Sequence, residues 1–199
     1  MSTLSISPSR STLVDRVFAR SLATDAVAIA AGAALVSIAA QITIPLYPVP
    51  ITGQTLAVLL VGASLGALRG AVSLVLYAVL GIVGLPVFAD ASHGVSQVLS
   101  PSGGYIVGFI FAAALTGWLA QRAWDHRIVG GIVSFAAGTV VTFAFGLPWL
   151  AVTLHLDLAQ TLAAGLYPFL IGGAIKALLA AGVIRLEWFA IDRSESSSR

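Results

Sequence analysis

Long apolar stretches, separated by short polar or proline-rich breaks, set the pattern of this chain. From Ala26 to Ile44 no position is charged, and Pro45, Pro48 and Pro50 then break the run. Proline lacks the amide donor and restrains the residue before it, so a helix ends there. A second stretch covers about Gln54–Leu68 and stops at Arg69, and a third runs from Gly70 to about Leu85, punctuated by Gly84 and Pro86. Val87–Gly104 is a mixed loop holding Asp90, His93, Ser100 and Pro101. The fourth stretch covers about Tyr105–Ala120 and ends at Gln121 and Arg122. The fifth begins after Arg127 and reaches about Leu154, interrupted at Gly146 and Pro148. A polar piece with His155, Asp157 and Gln160 precedes the sixth, which starts near Leu162 and continues towards Ile184.

A membrane-spanning helix needs about 20 mainly apolar residues. The pattern therefore predicts an all-α membrane protein, with six transmembrane helices in one domain, 26–187, between polar tails at 1–25 and 188–199. The first tail is Ser-rich, with a short amphipathic stretch around Leu13–Phe18. A signal peptide is not expected, because the apolar stretch that follows has the length of a full span rather than a short h-region.

Composition narrows the class. Of 199 residues, 58% are hydrophobic and 9% charged, and the mean hydropathy is +1.00. Soluble domains carry roughly 25% charged residues, so a water-soluble enzyme, a disordered chain and a free-standing nucleic-acid binder are excluded. The chain has no cysteine, which removes disulfide scaffolds, thiolate metal sites and cysteine nucleophiles. The net charge of +2 is small, but its distribution is informative. With the N-terminus in the cytoplasm, the inner positions hold Arg10, Arg16, Arg20, Arg69, Arg122, Arg127, Arg185, Arg193 and Arg199, nine of the ten basic residues. The outer loops hold Asp90, Asp157, His93 and His155. Basic residues near span ends fix orientation, so both termini are expected to be cytoplasmic.

Several motifs invite a chemical reading. Ala26, Ala30 and Ala34 fall on one stripe of the first helix, where small side chains let another helix approach closely. Packing within the chain and docking of a partner both fit. Gly62-Ala-Ser64-Leu-Gly66 matches the nucleophile pattern G-x-S-x-G by letter, but that pattern has meaning on a strand-to-helix turn, and here it reads as helix packing. No catalytic residue is expected. No phosphate-cradling G-x-x-x-x-G-K-[ST] occurs, and no acid or histidine cluster has metal-ligand spacing, so neither a cofactor nor a metal is expected.

Lys176 stands apart. An ammonium inside a span costs about 2.5–3.5 kcal/mol on insertion scales and usually faces a cavity or a partner. At 1.5 Å per residue it lies roughly 13 Å from the inner marker Arg185, and no span holds a carboxylate to pair with it, so a ligand is a natural counterpart. On the outer side, Tyr47–Gln54 forms a stiff turn presenting Thr52 and Gln54, and Phe88, Gly104, Tyr105 and Trp149 gather at the same level. An aromatic pocket with a few fixed polar groups is the usual small-ligand site. An interfacial aromatic belt would account for Trp149 and Tyr167 but poorly for Gln54 and Lys176.

These residues resemble the BioY family, the biotin-specific substrate-binding (S) components of energy-coupling factor (ECF) transporters. The resemblance runs from about Ala30 to Ala180. It rests on Gln41-Ile-Thr-Ile-Pro45, Val49-Pro50-Ile-Thr52-Gly-Gln54, Gly62-Ala-Ser-Leu-Gly66 with Arg69-Gly70, Tyr77-Ala-Val-Leu-Gly81-Ile-Val-Gly84-Leu-Pro86-Val-Phe88-Ala, Pro101-Ser-Gly103-Gly104-Tyr105, and Pro168-Phe169…Lys176. It implies a six-helix S-component bundle in the cell's inner membrane. A biotin pocket near the outer face would be covered by the loop after the first helix. Ligand contacts are expected from Thr52, Gln54, Tyr77, Phe88, Gly104, Tyr105, Trp149 and Lys176. It further implies that Ala26, Ala30 and Ala34 face a transmembrane coupling (T) subunit, with two ATPase subunits supplying energy. The family often has Gly-Asp before the Ile-Lys pair, whereas this chain reads Gly172-Gly173-Ala174-Ile175-Lys176. An S component for another small ring-containing vitamin is the alternative within transport. A small intramembrane hydrolase built on Ser64 is the alternative from another class.

Overall fold

The computed structural model describes residues 12–17, 19, 21–122, 128–170, 172–173 and 182–184. Lys176, the tail 188–199 and residues 171 and 174–181 of the sixth apolar stretch lie outside the described residues.

The described chain is built from helices. Helix α1 (Leu13–Val17) occupies the amphipathic stretch of the N-terminal segment. Its Leu13 and the preceding Thr12 are buried, and it packs against α3 (Gln54–Leu65). Helix α2 (Leu22–Ala40) starts four residues before the apolar run itself, because Ser21 caps it by accepting the Thr24 amide hydrogen. A two-residue hairpin follows, β1 (Thr43–Ile44) against β2 (Ile51–Thr52), antiparallel with Thr43 opposite Thr52. The prolines at 45, 48 and 50 sit between these strands, where the missing amide donors cost no ladder hydrogen bond.

Helix α3 meets α4 (Ala67–Ile82) at Gly66, whose φ of +85° reverses the chain. A side chain there would also be strained, and the neighbouring backbone is close: a Cβ on Gly117 would stand 2.3 Å from the Gly66 carbonyl carbon. Gly62 and Gly66 thus serve the crossing of α3 with α6 (Gly103–Ala120), the packing role expected of this motif. After α4 come a 3-10 turn (Ala89–Ala91), α5 (Val95–Leu99), α6, and α7 (Ile128–Leu154), which runs unbroken through Pro148. Helix α8 (Leu158–Gly165) begins in the piece expected to be merely polar. Asp157 accepts the Gln160 amide hydrogen at 2.8 Å, and the Gln160 side chain accepts the Asp157 amide hydrogen in return, a reciprocal cap.

Among the described residues three helices, Leu22–Ala40, Gly103–Ala120 and Val129–Leu154, are long and apolar enough to cross a membrane. Helices α3 and α4 and the segment Leu158–Leu170 are apolar but shorter. The core at the centre of the bundle holds Val36, Val58, Leu74, Tyr77, Phe88, Phe109 and Leu150. The outside is equally apolar: Leu22, Val27, Ile38, Leu68, Val140 and Val152 are each at least 66% exposed. A surface of this kind suits lipid rather than water.

Candidate ligand site

Chain direction alternates from helix to helix, so sequence-distant ends converge. One end of the bundle gathers the C-terminus of α2, the hairpin, the start of α3, the end of α4, α5, the start of α6 and the end of α7. Asp90, His93, His155 and Asp157 lie at this end. The opposite end holds Arg69 in the first turn of α4, joined to Asp15 of α1 at 2.8 Å and Asp25 of α2 at 2.6 Å. Arg122, after α6, lies there too, with its guanidinium 3.5 Å over the Trp118 ring.

A cavity of about 50 Å3 opens at the first end, room for about four water-sized spheres at 10–15 Å3 each. Its polar wall is built around Gln54 at the start of α3. The Gln54 amide nitrogen donates to the Tyr77 hydroxyl of α4. Its carbonyl oxygen accepts the Thr52 hydroxyl hydrogen at 2.9 Å. Gln54 is 7% exposed and Tyr77 0%, so this three-residue group is held in a region where a lost partner is costly. Val49 and Pro50 of the hairpin cover one side, and Gln97 and Ser102 come from α5 and the start of α6. Tyr105, Ile106 and Phe109 of α6, with Thr142 and Phe143 of α7 and Phe169 beyond α8, form the apolar wall. The Tyr105 hydroxyl donates to the Gly165 carbonyl at 2.9 Å, which orients its ring.

Four residues expected at the site, Thr52, Gln54, Tyr77 and Tyr105, therefore line one cavity. Three others stand behind it. Phe88 is 1% exposed and meets the Tyr77 ring edge-on, with centroids 5.4 Å apart. Gly104 lets α6 approach α7: a Cβ there would lie 2.3 Å from the Trp149 Cβ. Trp149 donates its indole hydrogen to the Ser100 carbonyl at 2.9 Å and thereby anchors the loop before α6. Lys176 lies outside the described residues. Ala26, Ala30 and Ala34 are all exposed along α2, and on an adjoining face of α2 runs an open apolar groove lined by Val27, Ala31 and Leu35 of α2, Leu60 and Ser64 of α3, and Val14 of α1.

Sequence reasoning did not single out Phe143, Gln97 or Thr142. Helix α7 is apolar on every side, so no periodicity marks the face that Phe143 takes. Gln41 was visible only as part of a motif. Its amide nitrogen donates to the Ser37 and Phe88 carbonyls at 3.0 and 3.1 Å, and its oxygen accepts the Ala91 amide hydrogen at 3.0 Å. It pins the loop behind the cavity to the end of α2.

A helical bundle with an apolar exterior and a small, partly polar cavity near one end defines a membrane protein that holds a small molecule. Residues 9–193 match the BioY family, and the chain belongs to that family. It is 38% identical over 147 residues to the biotin transporter BioY of Rhizobium etli, covering 70% of this chain and 78% of that one. It is 35% identical over 161 residues to the biotin transporter BioY of Thermotoga maritima, covering 80% and 94%. Among solved structures it resembles the S-component for biotin from an ECF-type ABC transporter, with a TM-score of 0.74 at 26% identity over 82% of this chain and 89% of that one. These relatives are transporters, not enzymes.

Proposed function

We propose that this chain is the biotin-capturing S component of an ECF uptake transporter in the cell's inner membrane. It would have six spans, both termini in the cytoplasm and the cavity facing out. The observation that carries the reading is the cavity built on Thr52, Gln54 and Tyr77 in a chain of this family. Its position at the end holding Asp90, His93, His155 and Asp157, away from Arg69 and Arg122, supports an outward orientation, because basic residues mark the cytoplasmic side.

Biotin offers a ureido group with one acceptor and two donors, an apolar sulfur-containing ring and a carboxylate tail. The Gln54 amide and the Thr52 and Tyr77 hydroxyls supply directional partners for a polar group of that kind, while Tyr105, Ile106, Phe109 and Phe143 supply apolar contact. Lys176 is a further polar contact, to whichever end of the ligand reaches the sixth stretch. No covalent step is needed. Delivery inward would require a coupling T subunit and two ATPase subunits, with Ala26, Ala30 and Ala34 meeting the T subunit. Their exposure on α2, beside an apolar groove, supports that use.

Titrating the purified protein with biotin, while following heat or tryptophan fluorescence, tests the proposal. Saturable binding at micromolar ligand or below is expected, and its absence would sink the assignment. Competition by other vitamins but not by biotin would favour the related reading, an S component for a different ring compound.

A further inference from the structure

Gln41, at the end of α2, is exposed and does not line the ligand cavity. Yet its side-chain amide makes three hydrogen bonds, all to backbone groups: the Ser37 and Phe88 carbonyls and the Ala91 amide. Two of these reach across to the turn 88–92. The backbone of that turn is strained. Asp90 and Ala91 both have φ of +55°, the left-handed region in which a Cβ crowds the neighbouring carbonyl oxygen. Aspartate tolerates this region through its short polar side chain, whereas alanine has nothing to offset the crowding.

The turn closes on itself. The Phe88 amide donates to the Ser92 carbonyl at 3.1 Å, and the Ser92 amide and hydroxyl donate to the Ala89 carbonyl at 3.1 and 2.6 Å. These bonds shape the turn without fixing where it sits. Its position is set on one side by the Phe88 ring, which packs edge-on against Tyr77 and so tightly on Gly81 that a Cβ there would collide with it. On the other side Gln41 joins the turn to α2. Two parts of the cavity depend on that position. Ala89 lines the cavity directly, and Phe88 backs the Tyr77 ring, whose hydroxyl accepts the Gln54 amide hydrogen.

We propose that Gln41 is a positioning residue for ligand capture: it holds the 88–92 turn in its strained form and so keeps Ala89 and Phe88 in place at the cavity. Without it, water takes over the lost hydrogen bonds at little cost to the fold, because Gln41, Asp90 and Ala91 are all exposed. The turn then relaxes into forms in which Ala91 leaves the left-handed region. The ligand binds the fraction of molecules whose wall is in place, and the apparent affinity falls by that fraction. The inference rests on the reading of biotin as ligand and adds a residue outside the cavity on which its affinity depends.

Ala91 supplies the test, because glycine enters the left-handed region without penalty. The wild type, Gln41→Met, Ala91→Gly and the double variant are purified. Biotin affinity and the melting temperature of the biotin-free protein are measured for each. Gln41→Met keeps the length of the side chain and removes its polar atoms. It should weaken biotin binding about three- to tenfold, the scale of one lost hydrogen bond, with the melting temperature unchanged. Ala91→Gly alone should bind like the wild type, since Gln41 already holds the turn. In the double variant Ala91→Gly should restore most of the affinity lost in Gln41→Met. Wild-type affinity in Gln41→Met overturns the proposal. So does a loss that Ala91→Gly fails to restore, or one accompanied by a lower melting temperature, because Gln41 would then act on the fold as a whole. If the wild type shows no saturable biotin binding, the functional reading fails and this inference falls with it. If the wild type binds and Gln41→Met matches it, the functional reading stands and this inference alone fails.

Discussion

The Gln54–Tyr77 pair at the polar centre of the site makes a quantitative prediction. Both residues are buried, and the Gln54 amide donates to the Tyr77 hydroxyl. Tyr77→Phe keeps the ring in its edge-on contact with Phe88 but leaves a buried amide hydrogen without its acceptor. Gln54→Leu leaves the Tyr77 hydroxyl without its donor. Each single change should cost about 1–3 kcal/mol of stability, the usual penalty for stranding one buried polar group. In the double variant neither group is stranded by loss of the other, so the combined loss should fall short of the sum by about 1–3 kcal/mol. Both single variants should also weaken biotin binding by about tenfold or more, close to 1.4 kcal/mol. Unfolding of the four proteins in detergent micelles, paired with biotin titrations, measures both quantities. Strictly additive losses would refute the bond as a coupled element, and wild-type affinity in both single variants would remove it from the ligand site.

Lys176→Ala should weaken biotin binding more than tenfold, about 1.4 kcal/mol or more, and unchanged affinity in a folded variant would return this lysine to a structural role. Ala30→Trp places a bulky ring on the exposed face of α2. It should leave biotin binding intact while preventing co-purification with the coupling subunit. Because the chain has no cysteine, Ser92→Cys should react with an impermeant thiol reagent from outside intact cells and Ser21→Cys only after permeabilisation; the reverse pattern would invert the topology. Arg69→Leu strips Asp15 and Asp25 of the cation that joins them. Asp15 keeps its hydrogen bonds from Thr12, so the loss expected is that of a charged hydrogen bond, about 1–3 kcal/mol, read as a lower unfolding midpoint with little change in biotin affinity.

The long apolar elements were legible because insertion in lipid demands length and hydrophobicity together, and α2, α6 and α7 have both. The reversal between α3 and α4 was legible at Arg69 and its flanking glycines, although the turning residue is Gly66. The start of α8 carried a readable signal: an acid followed three residues later by glutamine is a reciprocal cap, yet it looked like a polar break. At the site, Thr52, Gln54 and Tyr105 stood out as polar or aromatic residues beside turns. Phe143 did not, since one phenylalanine in an apolar helix carries no mark of the direction it faces, and Phe169 was visible only as part of a motif. Gln41 shows the same limit from the polar side. Its partners at Phe88 and Ala91 are 47 and 50 residues away, and only the tertiary fold brings them within reach.

The central claim is capture of biotin from the outer side by a cavity built on Gln54. Its most direct test is equilibrium binding of radiolabelled biotin to right-side-out and inside-out membrane vesicles containing the protein without its coupling partners. The account predicts saturable binding to right-side-out vesicles, displaced by unlabelled biotin and weakened at least tenfold by Gln54→Leu. Binding confined to inside-out vesicles, or no displaceable binding in either, would contradict it.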